Sequence, residues 1–220
     1  MHPLKRVVPL KPCPLFFAMQ PDVMHEPKTI RFWRNHLPHW QIEAGVYFIT
    51  IRTAGSLPKA VSQRIAEIHQ SMSAVEPASA DYLHLQRQYF QTLEKYLDEG
   101  NGFCPFKTEA CCQIILDALD KLKEAGWNLE HYAIMPNHLH VLFTTTQSAD
   151  DMSKVWRTWK GRTARWCNVA LQRRGAFWQR DWFDRWMRDE ASITRTVDYI
   201  RNNPVKGGLV KEWKDYPWVR

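Results

Sequence analysis

Hydrophobic and polar residues change period several times along this chain, and each change marks an element. Residues 45–52, GVYFITIR, are a compact β-branched and aromatic run that predicts a strand. Residues 59–73, 81–99 and 108–125 carry apolar positions at helical spacing. In the third segment Ile115, Leu116, Leu119 and Leu122 recur three and four apart, and Gly126 supplies the stop. The runs LEHYAIM and HLHVLFTTT are interrupted only by Pro136 and Asn137, which predicts two strands joined by a tight turn without the favoured Asn-Gly pair. A helical pattern covers 153–174, a short extended piece covers 182–187, and a last helix covers 190–202. Pro204 ends it, because the residue before a proline avoids the α region. Residues 1–38 are proline-rich and without period, which predicts an extension that drapes on the domain or stays mobile, leaving one domain over 39–220. The order predicts an α+β fold, helices packed on a small, mainly antiparallel sheet.

Charge changes this picture more than length does. The 220 residues carry a net charge of +7 and eleven Trp, a basic and aromatic pairing suited to nucleic acid. No run reaches the ~18 apolar residues that span a bilayer, so no membrane partner is expected. Five Cys, an odd number without a CxxC pair, argue against a disulfide framework and a zinc ribbon. Prolines interrupt any secretion-type apolar core at the N-terminus, so reduced thiols in a cytoplasmic protein are the expectation. Between Asp151 and Arg188 stand Lys154, Arg157, Lys160, Arg162, Arg165, Arg173, Arg174, Arg180, Arg185 and Arg188, about twice that segment's even share of basic residues. Six Trp lie among them (Trp156, Trp159, Trp166, Trp178, Trp182 and Trp186). Aromatic faces beside cations are what unpaired bases stack on, although some of these rings must belong to the core.

Two smaller patterns carry candidate chemistry. His138 and His140 alternate with Leu139 and Val141 at the head of a strand, so both imidazoles project from one face and could share a divalent ion; hydrogen-bonded or surface histidines would read the same. On the last helix Ile193, Val197 and Ile200 form an apolar stripe. Arg195, Tyr199 and Asn203 form a separate one, expected to stand well off the core. A phenol between a cation and an amide suits attack on phosphorus, but an amphipathic helix with one half-exposed Tyr is also commonplace.

The motifs LPHW (37–40), YFIT (47–50), MPNHLHVLF (135–143), FWQRDWFDRWMRDE (177–190) and DYIRNNPVKGGLV (198–210), in this order, resemble the REP-associated tyrosine transposases, relatives of the single-tyrosine insertion-sequence transposases with a His-hydrophobic-His motif. The resemblance covers residues 31–220. It implies a ferredoxin-like domain that cuts and rejoins single-stranded DNA beside palindromic hairpins. It further implies Tyr199 as nucleophile and His138, His140 and Asn203 as holders of Mg²⁺ or Mn²⁺. The product is then a 5′-phosphotyrosine and a free 3′-hydroxyl. Trp182 and Trp186 stand where relatives often have Tyr, which leaves Tyr199 as the single motif phenol. Arg195 joins Lys154, Arg157, Lys160, Arg162, Arg165, Arg180, Arg185 and Arg188 as expected DNA contacts, and a homodimer is the assembly allowed for. The rival readings are a non-catalytic hairpin binder and a metal-dependent hydrolase of small substrates.

Overall fold

The computed structural model describes residues 28–35, 37–76 and 79–220. Its central sheet has four strands: β3 (Val46–Arg52), β4 (Trp127–Met135), β5 (His138–Thr145) and β6 (Phe183–Met187). They lie in the order β4-β5-β3-β6, every neighbouring pair antiparallel. With helical crossovers between β3 and β4 and between β5 and β6, this is the ferredoxin-like arrangement expected. The first crossover is enlarged. It holds a helical hairpin, α1 (Lys59–Ser73) and α2 (Ala80–Leu97), before α3 (Glu109–Asp120), and the second holds α4 (Met152–Ala170). The final helix, α5 (Glu190–Lys206), follows β6.

Strand alternation sorts these helices onto two faces. Tyr47, Ile49 and Ile51 of β3 and Leu139, Val141 and Phe143 of β5 form an apolar core with α3 and α4, filled by Trp127, Trp156 and Trp159. Phe48, Leu142 and Phe183 point the other way, into a second core closed by α1, α2 and Ile200 of α5.

Three sequence expectations change. Residues 1–27 of the expected extension, with Cys13, lie outside the described residues. Thr29–Arg34, however, form a strand (β1) paired with β2 (Pro38–Ile42) in a separate two-stranded sheet. Its alternation was masked because Ile30 and Phe32 are exposed. His39 of β2 anchors this hairpin: its ring contacts Asp184 from Nδ1 and Asp181 from Nε2 at 3.1 Å, and Asp181 also accepts the Leu37 N–H at 2.8 Å. Second, α5 runs through Pro204. The turn beyond it closes by Gly207 N–H donating to the Asn203 carbonyl (2.8 Å) and Leu209 N–H to that of Pro204 (2.9 Å), so the lost proline N–H costs one bond without ending the helix. Third, α4 stops at Ala170, four residues early, where Gln172 adopts a positive φ.

Candidate active site

His138 and His140 sit opposite Arg52 and Thr50 of β3, and both are fully buried. The turn that delivers them is more than a linker. Asn137 donates from Nδ2 to the Asn101 carbonyl (3.0 Å), which leaves its Oδ1 to accept from His138 Nδ1 (2.8 Å). The proton of His138 is thereby held on Nδ1, and Nε2 carries a lone pair. His140 Nδ1 makes the matching contact with Thr50 Oγ1 (2.8 Å). With a proton there as well, two bare Nε2 atoms converge 3.1 Å apart. Burial pulls both imidazole pKa values down to about 3. For His138 the neighbouring His140 adds to the effect; for His140 the Asp98 charge opposes it, and that of Lys206 adds to it. Both rings are neutral near pH 7 and able to ligate.

Helix α5 brings the third component. Tyr199 is half-buried, its ring edge-on to His140, Phe48 and Phe90, its hydroxyl 3.4 Å from His140 Nε2. Asn203, one turn later, is fully buried, and neither atom of its amide has a hydrogen-bond partner. The expectation that the Tyr199 stripe stands off the core is therefore corrected. Ser192, Ile200, Asn203 and Pro204 are the buried positions of the helix, while Ile193 and Val197 are only half-buried. An apolar-stripe reading misplaces the face because the pocket beneath α5 is itself polar.

A residue outside every motif completes the group. Glu94 of α2 is 4% exposed and lies with its Oε2 3.3 Å from His140 Nε2. Burial raises its carboxyl pKa to about 7, against the lowering effect of His138, Lys206 and Asn203. Lys206 Nζ is held 2.6 Å from Asp98, one turn beyond Glu94.

The basic candidates separate into distinct places. Arg185 and Arg195, with Arg87 of α2, border a cleft of about 400 Å³ that opens over Tyr199. A neighbouring hollow of about 180 Å³ shares Arg185 and Ser192 and adds Arg188, Trp186, Phe32 and Trp40. Burial lowers the Arg185 pKa; Asp189 opposes that shift, while Arg195, Arg87 and Arg188 reinforce it, a concentration of positive charge suited to an anion. Lys154, Arg157, Arg162 and Arg165 are exposed on α4, on the far side of the sheet from Tyr199, and Arg180 is exposed before β6. Lys160 is buried. Its ammonium donates to the carbonyls of Gln179 (2.6 Å) and Arg180 (2.8 Å) beneath the Trp182 ring, and burial lowers its pKa to about 8, so it braces a loop. Trp156, Trp159, Trp178 and Trp182 are core rings, which leaves exposed Trp166 and half-buried Trp186 available to bases. Among the described residues no helix is long and apolar enough to cross a membrane.

Comparison with known proteins finds relatives by sequence. Residues 108–203 match the family model described as transposase IS200 like. A REP-associated tyrosine transposase of Escherichia coli is 29% identical over 107 residues, 48% of this chain and 62% of that protein; the match thus spans less than two thirds of that relative. A Haemophilus influenzae protein provisionally given the same name is 31% identical over 139 residues, 63% of this chain and 68% of that one. A solved REP-associated tyrosine transposase bound to a REP hairpin is 21% identical, with a TM-score of 0.49 over 82% of this chain and 79% of that one. By sequence kinship, the chain belongs to the REP-associated tyrosine transposases.

Proposed function

We propose that the domain, taken together with its β1–β2 hairpin, forms a nuclease and strand transferase that cuts single-stranded DNA beside a palindromic hairpin, with Tyr199 as nucleophile. The observation that carries this reading is the placement of the Tyr199 hydroxyl 3.4 Å from a buried, neutral His pair, under a cleft bordered by arginines. In the reaction the phenolic oxygen bonds to the scissile phosphorus and the bond from phosphorus to the 3′-oxygen breaks. A 5′-phosphotyrosine and a free 3′-hydroxyl result. Attack by another 3′-hydroxyl reverses the step and transfers the strand without nucleotide hydrolysis. Arg87, Arg185 and Arg195 offset phosphate charge in the cleft and orient the strand.

The donor chemistry suits a hard divalent cation. His138 and His140 offer converging Nε2 lone pairs, and the Asn203 amide, buried without a partner, offers a carbonyl oxygen. When bound there, Mg²⁺ or Mn²⁺ supplies Lewis-acid stabilisation of charge on the phosphate.

The test is a hairpin with a single-stranded flank, labelled 3′ of the cut, incubated with Mg²⁺ or Mn²⁺ and run on a denaturing gel. A covalent adduct mapping to Tyr199 by mass spectrometry is expected. An adduct on Tyr132 overturns the assignment of Tyr199, full cleavage in excess chelator removes the metal from the mechanism, and no adduct across several palindromes favours a binding-only protein.

A further inference from the structure

We propose that Glu94 is a ligand of the divalent ion, so that a carboxylate from α2 joins His138, His140 and Asn203 in one donor set. The inference rests on the reading of this site as a cation site and extends it to a residue that no motif contains. Glu94 precedes residues 108–203, the stretch matched by the family model, and belongs to the helical hairpin that enlarges the first crossover.

Geometry is the first support. Ligand atoms of Glu94, His138 and His140 all lie within 4.8 Å of one another. The two Nε2 atoms are 3.1 Å apart, and Glu94 Oε2 is 3.3 Å from His140 Nε2. Adjacent ligands of an octahedral ion bound at about 2.1 Å stand about 3 Å apart, so these separations match one ion's coordination shell.

Orphaned polarity is the second. Neither Glu94 oxygen makes a hydrogen bond of good geometry; the polar groups it faces are the Asn203 amide and His140, and the Asn203 amide likewise makes none. Burying a carboxylate without partners is strongly unfavourable. The nearest ammonium, Lys206, is already engaged by Asp98. His140 Nδ1 is already in contact with Thr50 Oγ1, so the ring turns its other nitrogen toward the carboxylate. A cation between these groups satisfies all of them at once.

Charge is the third. Two imidazoles and an amide are neutral donors, and Mg²⁺ and Mn²⁺ favour at least one carboxylate. The sequence carries a matching trace: Phe90, Leu93, Glu94 and Leu97 stand at i, i+3, i+4 and i+7 of α2, so a Glu occupies a core position of the helix.

The experiment is a Mn²⁺ titration of the DNA-free protein, with free Mn²⁺ read by electron paramagnetic resonance and melting followed with and without the ion. Wild type should bind one Mn²⁺ and melt higher with it. Glu94→Gln should weaken binding about tenfold or more. Without metal it should melt at or above wild type, because a buried carboxyl without well-formed hydrogen bonds gives way to a neutral amide of the same shape. Glu94→Asp, which keeps the charge but withdraws it by one methylene, should weaken binding less than Glu94→Gln. Equal binding by wild type and Glu94→Gln, or the reverse order of the two variants, overturns the ligand role alone. Absence of Mn²⁺ binding by wild type overturns the cation reading and this inference with it.

Discussion

Strand β5 presents two surfaces that are equally buried and chemically opposite. Leu139, Val141 and Phe143 enter a core built mainly of aliphatic and aromatic side chains and closed by α3 and α4. His138 and His140, on the reverse side, enter a pocket where the amide of Asn203 and the carboxylate of Glu94 lack partners. Burial therefore has two meanings within one strand. On the apolar side it removes hydrocarbon from water and stabilises the chain; on the polar side it holds ligating atoms dry, neutral and converged at a cost in stability. Mutations should separate the two, the apolar side changing folding and the polar side changing chemistry.

The largest expected effect is on the polar side. Tyr199→Phe should reduce adduct formation by about 10³-fold or more while hairpin affinity stays near that of wild type. Its melting point should move little, because the lost hydroxyl makes only a long contact of 3.4 Å. Adduct retained in the variant would break the division.

On the apolar side, Trp156→Ala should cost about 3–5 kcal/mol in a denaturant titration, since it empties a fully buried position between Trp127, Phe143 and Trp159. Any loss of cleavage should then follow the folded fraction. A folded but inactive Trp156→Ala protein would show that the two sides are coupled.

The third prediction concerns the hairpin anchor. Burial lowers the His39 pKa, but the charges and hydrogen bonds of Asp184 and Asp181 outweigh it and bring the value up to about 9. A group raised in the folded state contributes most below its unfolded pKa of 6.5 and loses that contribution as pH rises through 9. Stability should fall by up to about 3 kcal/mol between pH 6.5 and 9.5. Melting curves of wild type and His39→Gln across that range check it: the difference should shrink as pH rises, and a constant difference would refute the linkage.

The smallest effects distinguish the arginines. Arg195→Ala should lower cleavage several-fold and reduce the salt slope of hairpin binding by about one. Arg165→Ala, on the far side of the sheet, should leave cleavage of bound DNA unchanged and shift binding by under about 1 kcal/mol. Equal loss of cleavage in both would mean that DNA wraps both faces.

Local pattern carried much of the fold. The β4–β5 pair, the helices and their order are legible because each has an unbroken period over many residues, and the His pair follows from alternation alone. What escaped the sequence depends on contacts between distant segments. β1 was hidden because Ile30 and Phe32 face outward and Trp33 alone packs toward the core, too little to set an alternating pattern. The basic segment looked like one surface, yet the fold turns Lys154 and Arg165 away from Tyr199, buries Lys160 and brings Arg87 from α2 to the cleft. Of the six Trp in that segment four are core, and the sequence could say only that some must be, since an indole beside an arginine in sequence need not share its face. Glu94 was within reach, as a charge in an apolar helical row, but only tertiary packing shows what it meets.

The candidate centre is also assembled across long stretches of chain, with Glu94 46 residues before His140 and Tyr199 59 residues after it. Contacts of such separation form late in folding and are lost whenever any contributing segment detaches. A partly folded chain would thus hold Tyr199 without the histidines, or the histidines without Tyr199. The proposed strand cutting would be confined to the fully assembled molecule, so thermal inactivation should trace the unfolding curve and leave no active fragment behind.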